Sequence, residues 1–179
     1  MVTVLGISGS LRQKSFNAGL LQAAAEAMPK EVTFVTGTIA GVPLYNADEE
    51  AEAGAPDAVK TLRRQLEDAD GLLLATPEYN NGIPGVFKNA IDWMASGQAA
   101  DLFVGKPVAV IGASPMAHGT MLAQDSWAPV LRALRTRPWF EGRLMVGRAR
   151  TLFDEDGTLT HEEMRSRLHA FVRGFVASL

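Results

Sequence analysis

The chain has 179 residues, 47% of them apolar, with a mean hydropathy of +0.04, which suits a globular protein with a sizeable core and excludes a disordered chain. A net charge of −3 without any basic block argues against nucleic acid as a partner. The absence of cysteine excludes disulfides, thiolate metal sites and a redox dithiol, so any redox chemistry must belong to a bound cofactor.

The first element is an unbroken apolar run, Val2 to Ile7, entered directly from Met1 with no charged leader region before it. It ends in Gly9-Ser10-Leu11-Arg12-Gln13-Lys14-Ser15-Phe16-Asn17. A helix follows, with Phe16, Leu20, Leu21, Ala24 and Met28 on one face. Such a strand-to-helix turn is built to hold a phosphate. The helix start offers unpaired N–H groups and partial positive charge. Ser10, Ser15 and Asn17 add side-chain donors, and Arg12 and Lys14 add charge. The competing reading is a plain turn whose Ser15 or Asn17 caps the helix.

The second strand, Val32 to Thr36, is more polar and is not closed by an acid where a ribose-binding Asp or Glu would stand. Gly6 and Gly9 do not make G-x-G-x-x-G, and no G-x-x-x-x-G-K-[ST] exists. What remains is a single terminal phosphate held by neutral donors, and flavin mononucleotide (FMN) fits that description.

Ala47 to Ala55 reads as a polar surface loop. Val59, Leu62, Leu66 and Ala69 mark a helix, and Gly71–Thr76 a third strand. Its loop, Pro77-Glu78-Tyr79-Asn80-Asn81-Gly82-Ile83-Pro84-Gly85, carries a large aromatic beside amides and an acid. Tyr79 can cover part of a planar ligand, while Asn80, Asn81 and Gly82 offer amide and backbone groups to a ring edge. Pro84 starts a helix with Val86, Phe87, Ala90, Ile91 and Met94 inward, and its Asp92-Trp93-Met94 is a candidate subunit contact.

Val108–Ala113 is the fourth strand, and its loop runs from Ser114 to Thr120. Ser114 suits the ribityl chain or ring edge. His118 is read as a solvated loop residue, with acid–base work as the alternative. A helix follows through Val130 and Leu134, and Leu144–Val146 belongs to the fifth strand. Asp154-Glu155-Asp156-Gly157 resembles a calcium loop, but Leu152 would hold the first ligand position, so it is read as a hairpin-like turn. Thr160 and Glu163 form a capping box for a last helix with Met164, Leu168, Phe171, Val172 and Phe175 inward. No metal site is expected, because the three histidines lack ligand spacing. Ser8 lacks a G-x-S-x-G elbow. Short apolar strands alternating with helices indicate an α/β fold on a parallel sheet, and ligands of such sheets bind beyond the strands' carboxyl ends.

Taken together, these motifs resemble the NADPH-dependent FMN reductase family, the flavodoxin-like group of quinone, chromate and azo-dye reductases. Gly9-Ser10-Leu11-Arg12 with Ser15 and Asn17 matches its phosphate loop. Pro77-Glu78-Tyr79-Asn80, Ile83-Pro84-Gly85 and Lys88-Asn89-Ala90-Ile91-Asp92-Trp93 match its most specific motif, and Phe153-Asp154 through Thr160 its tail. The resemblance implies one flavodoxin-like domain over residues 1–179, a three-layer sandwich around a five-stranded parallel sheet of order 2-1-3-4-5. It implies bound FMN reduced by NADPH or NADH, a small-molecule electron acceptor, and a homodimer or homotetramer. The expected cofactor-binding residues are Ser10, Arg12, Ser15, Phe16, Asn17, Pro77, Glu78, Tyr79, Asn80 and Ser114; catalytic residues stay open. Relatives commonly carry glycine at Met116, Gly-Gly at Gly119-Thr120 and arginine near Leu122, so acceptor preference stays open too. A cytoplasmic enzyme is expected, with an electron-carrying flavodoxin as the rival.

Overall fold

The computed structural model describes residues 1–179. Strands β1 (Val2–Ser8), β2 (Val32–Gly37), β3 (Gly71–Ala75) and β4 (Pro107–Ala113) form a parallel sheet, joined by the short strands β5 (Arg137–Pro138) and β6 (Leu144–Val146). The order is β2-β1-β3-β4-β5, with β6 also paired to β4. The expected order is therefore observed, with one change at the edge. The fifth position is shared by two strands: β5 pairs with Pro107 and Val108, and β6 with Ile111 to Ala113. Pro138 has no N–H for the ladder, and the chain between β5 and β6 leaves it before Leu144 returns.

Successive strand residues point to opposite faces, and the core divides accordingly. Val4, Leu73, Ala75, Ala109 and Ile111 pack with helices α1 (Phe16–Glu26) and α6 (Glu162–Ala177). Leu5, Ile7, Leu72, Leu74 and Val108 face α3 (Asp57–Glu67), α4 (Gly85–Met94) and α5 (Met121–Ala133). This places three layers around strands buried on both sides, as their unbroken apolar runs require.

Several local expectations are corrected. Ala47–Ala53 is a helix, α2, capped by the Asn46 side chain, where a loop was expected. It forms because Glu50 gains tertiary partners. Arg63 Nη2 lies 3.2 Å from Glu50 Oε1 and donates to Trp93 O and Ser96 Oγ at 2.6 Å each. The Ser96 hydroxyl, with help from Arg63, holds the Glu50 carboxyl below its ordinary range. The Thr160/Glu163 box is absent, since α6 begins one residue later than that box needs. His161 is the cap, its Nδ1 accepting from Met164 N at 3.4 Å. Helix α1 ends at Glu26, short of Met28, which still packs on the core; Pro29 stops the helix. Val86 points outward, at 43% exposure. Trp93 is 1% exposed and Met94 fully buried, so neither is a subunit contact; the Trp93 indole instead donates to Pro43 O and meets the Tyr45 ring edge-on at 4.9 Å.

Candidate active site

One narrow cleft at the carboxyl ends of β1, β3 and β4 gathers the three loops. It is lined by Ser10, Arg12, Ser15, Phe16, Asn17, Pro77, Glu78, Tyr79, Ala113, Ser114 and Pro115. Every expected binding residue except Asn80 is in that lining. The cavity is small, about 60 Å³. It has room for a compact anion and little more.

The phosphate loop is positioned from both sides. Gly9 N donates to Ala75 O at the end of β3, which draws the loop across the sheet. A Cβ on Gly9 would lie 2.1 Å from Phe87 Cδ1, so glycine lets α4 approach the loop. Ser15 caps α1: its Oγ accepts from Asn17 N at 3.2 Å and Ala18 N at 3.4 Å. The N–H groups of Ser15 and Phe16 find no acceptor within the chain. Ser15 is therefore a cap and a cleft residue at once. Arg12 forms no ion pair, whereas Lys14 is paired with Asp156 at 3.1 Å and lies outside the lining. This donor set, with hydroxyls, helix-start N–H groups and one free guanidinium, fits a phosphate.

Asn17 does something that spacing did not show. Its Nδ2 donates to Ala113 O and its Oδ1 accepts from Ala113 N, both at 2.9 Å. The side chain is 4% exposed and ties the phosphate loop to the end of β4. One amide hydrogen is left over.

The rim after β3 is a two-residue hairpin loop. Tyr79 and Gly82 exchange two backbone hydrogen bonds at 3.1 Å, and Asn80 and Asn81 take φ of 50° and 62°. Asparagine tolerates this left-handed backbone, so the turn itself explains Asn80 and its outward position. Tyr79 stands at the rim, 47% exposed.

Glu78 is held by its carboxylate. Its Oε2 accepts from Leu122 N and Ala123 N at the start of α5, each at 2.9 Å, and its Oε1 lies 3.1 Å from His118 Nε2. His118, expected to be solvated, is exposed and is also hydrogen-bonded to Glu78. Sequence spacing held no signal for this link, which spans 40 residues or more.

A sequence model described as NADPH-dependent FMN reductase matches residues 2–151. An NAD(P)H-dependent FMN reductase of Pseudomonas aeruginosa is 43% identical over 164 residues, covering 92% of this chain and 88% of that protein. The chain belongs to the NADPH-dependent FMN reductase family. A 2-hydroxy-1,4-benzoquinone reductase of a Burkholderia species is 35% identical, over 96% of this chain and 92% of its own. The solved structure of FerB, a flavoenzyme NAD(P)H:(acceptor) oxidoreductase from Paracoccus denitrificans, superposes with a TM-score of 0.87 at 34% identity, covering 99% of this chain and 96% of that one. Membership makes this family member an enzyme with FMN as cofactor and NAD(P)H as electron donor.

Proposed function

We propose that the protein passes electrons from NADPH or NADH through FMN to a quinone, with free flavin, azo compounds and metal oxyanions as further acceptors. The reading is carried by the single cleft that joins a phosphate loop, an aromatic rim and the Ser114 loop beyond three adjacent parallel strands. The name of the Burkholderia relative supports a quinone as acceptor.

In this reading Ser10, Arg12, Ser15, the Phe16 N–H and the spare amide hydrogen of Asn17 hold the FMN phosphate. Pro77, Glu78, Tyr79 and Asn80 border the ring through backbone and aromatic surface, and Ser114 meets the ribityl chain. FMN supplies the hydride chemistry when bound. The protein orients it, leaves one face open, and sets N–H groups where negative charge gathers. With one open face, donor and acceptor bind in turn, which gives ping-pong kinetics. Residues 1–179 act as one domain in the cytoplasm, where nicotinamide donors are plentiful; no helix is long and apolar enough to cross a membrane.

Two measurements test this. Acid release of the cofactor should yield FMN, and anaerobic NADPH or NADH should bleach the visible flavin band of the holoprotein. Recovery of FAD would overturn the cofactor assignment. A flavin bleached only by a low-potential chemical reductant would make the protein a carrier.

The active form is proposed to be a homodimer or homotetramer. With Trp93 buried, contact on the α4 side would be made by Leu44 and Val86, 83% and 43% exposed. Light scattering on active enzyme at low micromolar concentration should give at least a dimer mass; a fully active monomer would refute it.

A further inference from the structure

His118 is a titratable group that the flavin reading leaves unused, and it is hydrogen-bonded to Glu78 of the cleft lining. Its ring is 39% exposed, while the Glu78 side chain that it meets is 5% exposed. Three hydrogen bonds hold that carboxylate: Leu122 N, Ala123 N and the His118 ring. The carboxylate is thus fixed in place and orients the imidazole through Nε2. Nδ1 is then the ring nitrogen left for another partner. Glu78 lines the cleft and His118 does not, so the 3.1 Å hydrogen bond to Glu78 is the link between His118 and the cleft.

We propose that His118 donates the second proton of quinone reduction, with Glu78 as its positioning residue; this rests on the NAD(P)H-to-quinone reading above. A hydride brings two electrons and one proton to one quinone oxygen. The other oxygen is left with the negative charge of a hydroquinone monoanion. The Nδ1–H bond of the His118 imidazolium breaks as the O–H bond forms there, and the neutral imidazole regains a proton from water. Nε2–H stays with Glu78 throughout. The polar side chains of the lining suit this task less. A guanidinium such as that of Arg12 does not release its proton, whereas an imidazolium can donate one and be restored from water.

The test compares acceptors that differ in proton demand. Flavin reoxidation in reduced holoprotein is timed with 1,4-benzoquinone, which needs the proton, and with ferricyanide, which takes electrons alone. In His118→Gln the benzoquinone-to-ferricyanide rate ratio should fall roughly tenfold to a hundredfold, the lower range for general acid catalysis. An unchanged ratio, or an equal fall with both acceptors, overturns the proton role. A second readout needs no turnover and no flavin. Nitrogen NMR of the His118 ring in wild-type protein should show a protonated Nε2, and Glu78→Gln should shift its resonance. A ring indifferent to Glu78→Gln overturns the positioning role. Failure of both nicotinamides to bleach the flavin would instead overturn the underlying reading, so the two failures are distinguishable.

Discussion

Asn17→Ala is expected to destabilise the cofactor-free protein by roughly 2–5 kcal/mol, because it strips the Ala113 N–H and C=O of their partner in a buried place. For a chain of this size that lowers Tm by roughly 5–15 °C. The phosphate loop also loses its tie to β4, so FMN and riboflavin should both bind more weakly, FMN by the larger factor because it also loses the spare Asn17 amide hydrogen. Thermal unfolding of the apoprotein, beside titration with both ligands, checks this. Unchanged apoprotein stability with a loss confined to FMN would make Asn17 a phosphate ligand first and a strut second. The effect is large because one side chain satisfies both polar groups of one buried peptide segment.

Arg12→Ala should act in the opposite manner. Arg12 is exposed and unpaired, so the apoprotein should melt unchanged within about 0.5 kcal/mol, as surface substitutions usually do. Removing a charged donor from a phosphate is worth about 1.5–3 kcal/mol, a loss of roughly ten- to a hundredfold in FMN affinity. Riboflavin, which lacks the phosphate, should be spared, and added salt should narrow the difference. Lys14→Ala is the control, since Lys14 is engaged with Asp156. Equal losses for Arg12→Ala and Lys14→Ala would indicate a diffuse field in place of a defined phosphate contact.

The two substitutions differ because the structure separates residues that one motif groups. Ser10, Arg12, Ser15 and Asn17 read together as candidate phosphate-loop residues, and all four line one cleft. Only the fold shows that Asn17 spends its amide on β4, that Lys14 is engaged elsewhere, and that Asn80 serves a left-handed turn. Likewise Glu78 stood among the expected cofactor-binding residues, and only the fold shows its carboxylate accepting from Leu122 N and Ala123 N at the start of α5.

By itself the sequence determined the alternation of buried strands and helices, the parallel sheet, the turn that ends β1 and the absence of thiol chemistry. These follow from apolar periodicity, from residues within one helical turn of each other, and from composition, all of which are local or global properties of the string. The tertiary structure alone decided the division of the fifth strand, the folding of Ala47–Ala53 into a helix around the Arg63 network, and the Glu78–His118 pair. Each depends on which atoms the sheet order brings within hydrogen-bond distance across tens of residues. Side-chain hydrogen bonds of that range obey no sequence period, so the spacing that reveals an apolar face is silent about them.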